Sequence, residues 1–143
     1  MEISIKRIDK DLPLPKYLTP GSVAFDMYSR IDKTIEPKTL EKLPSNFIIQ
    51  VPEGFALIIA NRSSLAVKRG LTLANNIGII DQDYCGPEDE ISLSLYNFTN
   101  DQIQIKKGER LCQAMLMPIE KVEFKEAEII EKNSRGGFGS TGK

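Results

Sequence analysis

Short runs of period-two alternation, punctuated by glycine turns, constrain this chain more than any other feature. In Ile91-Ser92-Leu93-Ser94-Leu95-Tyr96 apolar and polar residues alternate strictly, the pattern of a strand with one buried face. Ile3, Ile5 and Ile8 open an edge-like strand, and Phe47-Ile48-Ile49-Gln50-Val51 reads as a buried one. Phe55-Ala56-Leu57-Ile58-Ile59 and Leu111 to Met117 add further apolar runs. Pro20-Gly21, Glu53-Gly54 and Lys107-Gly108 mark turns between them. A single stretch looks helical: Ser63 to Arg69 has a serine start, a basic end and a glycine stop at Gly70. Strands this short, at roughly ten-residue spacing, predict an all-β sandwich, barrel or jelly roll. No repeat or low-complexity linker interrupts them. The expected organisation is a β core over residues 1–131 and a glycine-rich arm over 132–143.

A chain of 143 residues buries enough apolar surface to fold as one domain without staples. The net charge of −1 gives no electrostatic footprint for nucleic acid or an anionic membrane. Phosphate chemistry, if any, must rest on a few placed cations. Cys85 and Cys112 form neither a disulfide framework nor a metal-ligand pattern. With no apolar leader and no run approaching the ~18 residues of a bilayer span, a reduced, cytoplasmic setting is expected. Histidine is absent, which excludes Ser-His-Asp and Cys-His nucleophile systems. An enzyme built on this chain needs a carboxylate base.

Four segments suggest chemistry. The tail Ser134-Arg135-Gly136-Gly137-Phe138-Gly139-Ser140-Thr141-Gly142-Lys143 sets glycines around one aromatic. Glycines let backbone approach a ligand, Phe138 offers a flat face, and Arg135, Ser140 and Thr141 donate to phosphate. The same stretch matches the spacing of a P-loop, but the chain stops at Lys143, so no helix follows to hold phosphates. Asn75 to Tyr84 carries an apolar strand into Asp81-Gln82-Asp83-Tyr84, which is either ordinary turn chemistry or a carboxylate base on a rigid support. Arg62-Ser63-Ser64 at the helix start reads as a small anion site or as a simple cap. Arg110 and Gln113, in a turn entering a strand, face either a ligand or solvent.

In order along the chain, Ala24-Phe25-Asp26-Met27-Tyr28-Ser29, Arg62-Ser63-Ser64-Leu65, Gly78 to Tyr84, Gly108 to Gln113 and Gly136 to Gly142 resemble the five motifs of the trimeric dUTPases. The resemblance implies a jelly-roll-like, distorted β-barrel subunit of the β-clip type. It also implies a homotrimer whose three active sites each draw on all three chains, the arm closing over a site held elsewhere. The implied reaction is hydrolysis of dUTP to dUMP and pyrophosphate, with Mg2+ carried by the phosphates and no direct protein ligand. Asp81 would deprotonate the attacking water, and aspartates as a class are ionised near neutral pH. Asn75 and the backbone of Gly78, Ile79 and Ile80, in a hairpin paired with the strand near Ser92, would read uracil. Tyr84 would pack on the deoxyribose and exclude a 2′-hydroxyl. Arg62, Ser63 and Ser64 would hold the β-phosphate region and Gln113 the α-phosphate. In the arm, Phe138 would cover uracil, with Arg135, Gly139 and Ser140 also at the ligand. Asp26 and Arg110 would support the site, Asp26 by bracing Arg62.

The chain departs from the family pattern in three places. The link Cys85-Gly86-Pro87-Glu88-Asp89-Glu90 is longer and more acidic than usual, and the arm is shorter between Arg135 and Phe138. Asn61 stands where proline is usual before the arginine, a change expected to matter little. Two other readings share the pocket. A dCTP deaminase of this fold places a glutamate three residues before the strand-ending asparagine, where this chain has Ser94 before Asn97. A nucleotide-sensing module would keep the pocket and act through partner proteins.

Overall fold

The computed structural model describes residues 1–130, together with Asn133 and Gly136. Its strands are β1 (Ile5–Arg7), β2 (Phe25–Tyr28), β3 (Lys33–Ile35), β4 (Leu40–Pro44), β5 (Phe47–Ile49) and β6 (Phe55–Asn61). After the helix α1 (Leu65–Arg69) come β7 (Leu71–Leu73), β8 (Gly78–Ile80), β9 (Ser92–Asn97), β10 (Ile103–Ile105) and β11 (Arg110–Pro118). All pairings are antiparallel, in sheets ordered β2-β11-β6-β8, β4-β9-β7, β1-β5 and β10-β3. The result is a jelly-roll-like, distorted barrel in which no sheet closes on itself.

Alternation dictates the layering. In β9, Leu93 and Leu95 are fully buried while Ser92 faces out, and in β10 Ile103 and Ile105 flank an exposed Gln104. β2 and β5 are buried on both faces: β5 is an unbroken apolar run, while β2 carries the charged Asp26 between Phe25 and Met27. Phe47, Met27, Leu57, Ile59, Leu93 and Leu111 meet in one continuous core. Strand β11 is its spine, pairing with β2 on one side and β6 on the other, with a bulge between Arg110 and Cys112.

One expected pairing is corrected. The arm of the hairpin that ends at Ile80 does not run beside the strand near Ser92. Instead β8 pairs with β6, setting Gly78 opposite Ile59 and Ile80 opposite Leu57. The reason lies in the edges available. β7 already occupies the edge of β9, Leu73 facing Leu95, so Ser92 faces Pro44 of β4 on the other side. The turn at Asn75-Asn76, with Asn76 at φ 61°, then sends the chain across to the other sheet. Gly78 permits the new approach, because a Cβ there would stand 3.2 Å from the Cβ of Ile59.

The helix ends as its sequence requires. Gly70 adopts φ 65° and ψ 25°, and its N–H donates to the Ala66 carbonyl at 3.0 Å. A Cβ on Gly70 would lie 2.1 Å from Thr99 Cγ2, and Thr99 is held by its N–H donating to Asn97 Oδ1 at 2.9 Å and its hydroxyl donating to the same oxygen at 2.8 Å. Gly70→Ala should therefore lower stability by roughly 2 kcal/mol, read as a lower urea midpoint at unchanged slope. An unchanged midpoint would show that Thr99 yields freely.

Candidate active site

The most buried carboxylate among the candidates sits between two arginines. Asp26, on β2, has a side chain only 11% exposed; Arg62 Nε lies 2.9 Å from its Oδ1 and Arg110 Nη1 3.1 Å from its Oδ2. Arg62 also donates through Nη1 to the Arg110 carbonyl at 3.2 Å. Three neighbouring strand ends create this geometry. β2 and β6 flank β11 on either side, so Asp26, Arg62 and Arg110 converge from different parts of the sequence. Buried charge is tolerated because both carboxylate oxygens are paired.

The arginines open onto a cavity of about 380 Å³ lined also by Ser64, Lys68 and Arg69. Arg69 is already committed, facing Glu109, which lines the same cavity, at 2.9 Å and donating to the Gln104 carbonyl at 2.6 Å. Ser64 stands at the helix start, yet its hydroxyl makes no cap hydrogen bond. The simple-cap reading fails for this residue, and its hydroxyl remains available at the cavity wall. Beside it, Gln113 donates its amide to the Asn61 carbonyl at 2.9 Å, leaving the amide oxygen to define a fixed edge. A larger cavity of about 430 Å³ lies elsewhere, between the amino-terminal strand and Tyr17, and holds none of the candidate residues.

Asp81 lies apart from this cluster. It is exposed at the end of β8 and lines a cavity of about 300 Å³ with Gln82, Asp83, Phe55 and Lys121. No residue lines both cavities. Gln82 pins the turn: its amide donates to the Phe55 carbonyl at 2.9 Å, and Lys121 Nζ donates to its Oε1 at 3.3 Å. Asn75, Ile79 and Tyr84 are exposed on the same hairpin, Ile79 to 58% and Tyr84 to 40%. The structure thus brings Asp26, Arg62, Ser64, Arg110 and Gln113 together. It groups Asn75, Gly78, Ile79, Ile80, Asp81 and Tyr84 separately, and Ser92 lies exposed at the start of β9 opposite Pro44.

The Cys112 thiol offers no alternative nucleophile. Burial pushes the Cys112 thiol up to about 12, against a smaller opposing pull from Arg62, so the nucleophilic thiolate is scarce at neutral pH. Among the described residues, no group of three or more His, Cys, Asp or Glu side chains converges as a metal site.

The family model for dUTPase matches residues 10–142. The chain belongs to the dUTPase family. It is 40% identical over 145 residues to the deoxyuridine 5′-triphosphate nucleotidohydrolase of Finegoldia magna, covering 98% of this chain and 99% of that one. The enzyme of the same name from Dictyoglomus turgidum is 39% identical, with 99% of each chain covered. Among solved structures, the dUTPase of Streptococcus mutans superposes with a TM-score of 0.77 at 27% identity, over 84% of this chain and 98% of that one. A Staphylococcus bacteriophage 80alpha dUTPase, solved with dUpNHpp, shares the fold at a TM-score of 0.87 and 22% identity, covering 99% and 98%.

Within the dUTPase fold, the arm candidates Arg135, Phe138, Gly139 and Ser140 lie outside the described residues. Asn61 proves more consequential than its place as a proline substitute suggested. Its Nδ2 donates to Thr72 Oγ1 at 2.9 Å, its Oδ1 accepts from the Leu73 N–H at 2.8 Å, and its carbonyl takes the Gln113 amide. Nothing local in the sequence signals this, because Thr72 and Gln113 reach it only through the fold. Gln82 and Lys121 were missed for the same reason.

Proposed function

We propose that the chain hydrolyses dUTP to dUMP and pyrophosphate, with Asp81 as the base that activates water for attack on the α-phosphorus. The observation that carries this reading is Asp26 holding two arginines rigid at the mouth of a cavity. Fixed cations are worth most where charge builds up on a transferring phosphoryl group. In this reading Arg62, Ser63 and Ser64 take the β-phosphate region and Gln113 the α-phosphate. Asn75 and the backbone of Gly78 to Ile80 read uracil, while Tyr84 covers the sugar. Ser92 belongs to the proposed substrate contacts as well, although its strand does not extend that hairpin.

The charges present fit a metal that arrives on the substrate. Both oxygens of Asp26 are spent on arginines, so it is not free as a ligand. Mg2+ would be held by the triphosphate and its waters, where it supplies charge neutralisation. Asp81 would then work on water alone.

Two half-sites that share no lining residue support a homotrimer, in which the Arg62 cluster of one subunit meets the Asp81 turn of another. The exposed Ile77 and Ile79 beside that turn give such a junction apolar surface. Residues 119–130 lie exposed beyond β11 with no regular secondary structure, Phe124 to 96%, which supports a division into a 1–131 core and a 132–143 arm. No described helix is long and apolar enough to cross a membrane. The cytoplasm is the proposed site of action.

Deamination of dCTP is the weaker reading. At the position where that chemistry needs a glutamate stands Ser94, whose carbonyl accepts the Ala74 N–H at 2.8 Å. Purified protein given a panel of deoxynucleoside triphosphates with Mg2+ should release pyrophosphate from dUTP and no ammonia from dCTP. Light scattering on the same sample should give about three times the mass of the 16.0 kDa chain. Ammonia from dCTP at a rate comparable to dUTP turnover would reverse the assignment.

A further inference from the structure

The long acidic link after Tyr84 finds a partner inside its own chain. Arg30 grips Glu90 with two parallel bonds, Nε to Oε1 at 2.8 Å and Nη2 to Oε2 at 2.9 Å. Neither side chain is freely solvated, at 29% and 16% exposure, so this is not an ordinary surface pair. The same Glu90 oxygen Oε1 accepts the Asn46 N–H at 2.7 Å. Asn46 is fully buried with φ 79°, a conformation uncommon for a residue with a side chain. Its own amide is occupied by the backbone of Asp9, accepting from the Asp9 N–H and donating to the Asp9 carbonyl. Glu90 is therefore fastened to the core at two independent points.

Most of the remaining link bonds to itself, with Lys6 Nζ of β1 also donating to the Pro87 carbonyl at 3.4 Å. The Gly86 N–H donates to Asp89 Oδ2 at 2.7 Å, the Asp89 N–H to the Gly86 carbonyl at 3.1 Å, and the Glu90 N–H to the Glu88 carbonyl at 2.8 Å. Tyr84 spans the gap between this fastened loop and the Asp81 turn. Its N–H donates to the Asp81 carbonyl and its hydroxyl to the Glu90 carbonyl, each at 3.4 Å. The hydroxyl contact is long and its acceptor is the Glu90 carbonyl, so the ring's link to this loop depends on where Glu90 sits.

We propose that the Arg30–Glu90 pair is a latch that positions Tyr84, and through it sets the preference for a deoxyribose over a ribose substrate. Arg30 and Glu90 touch no substrate in this proposal; they are positioning residues acting through the tyrosine ring. The inference rests on the dUTPase reading above. It also gives the extended link a role, because a longer loop at the sugar-facing residue would otherwise leave Tyr84 loosely held.

The test compares kcat and KM for dUTP and UTP in the full-length wild type, Arg30→Met and Arg30→Lys. Arg30→Met should narrow the dUTP-over-UTP preference about tenfold, chiefly through a higher KM for dUTP, while Arg30→Lys recovers most of it. Glu90→Gln, which keeps an acceptor for Asn46 but removes the charge, is the second variant should Arg30→Met not fold. In a Tyr84→Phe background the effect of Arg30→Met should vanish, since both changes act on one contact. A lowered melting temperature with an unmoved preference would reduce the pair to a structural brace and overturn the latch. An undiminished effect in the Tyr84→Phe background would overturn the route through Tyr84. If the wild type does not turn over dUTP, the functional reading falls and the latch with it; if it does and the preference stays, the latch alone falls.

Discussion

Asp81→Asn is expected to lower kcat for dUTP by at least ~10², while the affinity for a non-hydrolysable dUTP analogue stays nearly unchanged. The amide is nearly isosteric, so the turn should keep its shape. Gln82 fastens that turn to the Phe55 carbonyl and to Lys121 without using any atom of Asp81. The substitution therefore removes a proton acceptor and little else. Histidine is absent and burial keeps the Cys112 thiol protonated, so the carboxylate beside Asp81 that could partly replace it is Asp83, which lines the same cavity. Near-normal turnover in the asparagine variant would remove Asp81 from the mechanism.

Deleting residues 134–143 should cut kcat/KM by about 10² or more, with melting temperature and trimer mass close to those of the full chain. Among the described residues, the buried core ends at Ala114, with Leu116 packed against it. The backbone leading toward it is already solvent-exposed, Ile129 and Ile130 both to more than three quarters. The proposed arm would close only over a bound nucleotide, whose base and phosphates together offset the entropy of ordering a glycine-rich segment. Phe138→Ala should reproduce part of the loss. A truncated enzyme as active as the full chain would return the segment to the status of a simple terminus.

The fold was legible because alternation is a local property. Leu93 and Leu95 announce their buried face within one strand, and Gly70 marks the helix end at its own position. The bracing of Arg62 by Asp26 was expected only through the family resemblance; nothing in the local sequence around either residue shows it. What stayed hidden were contacts between residues distant in sequence. Nothing near Asn61 points to Gln113, and nothing near Glu90 points to Arg30, sixty positions away. The hairpin pairing was misjudged for a related reason. Gly78 to Ile80 suits either sheet edge, and only the prior claim of β7 on β9 decides between them.

The separation of the Arg62 cavity from the Asp81 cavity has a consequence for inheritance. If the working site joins these halves from two subunits, a chain defective in one half still carries an intact copy of the other. Protein bearing only Arg62→Met or only Asp81→Asn would be inactive alone. Co-expressed, the two would form mixed rings, each with one junction where an intact Arg62 meets an intact Asp81. Two null alleles would then complement each other within a single cell, and neither would behave as a simple loss of dose.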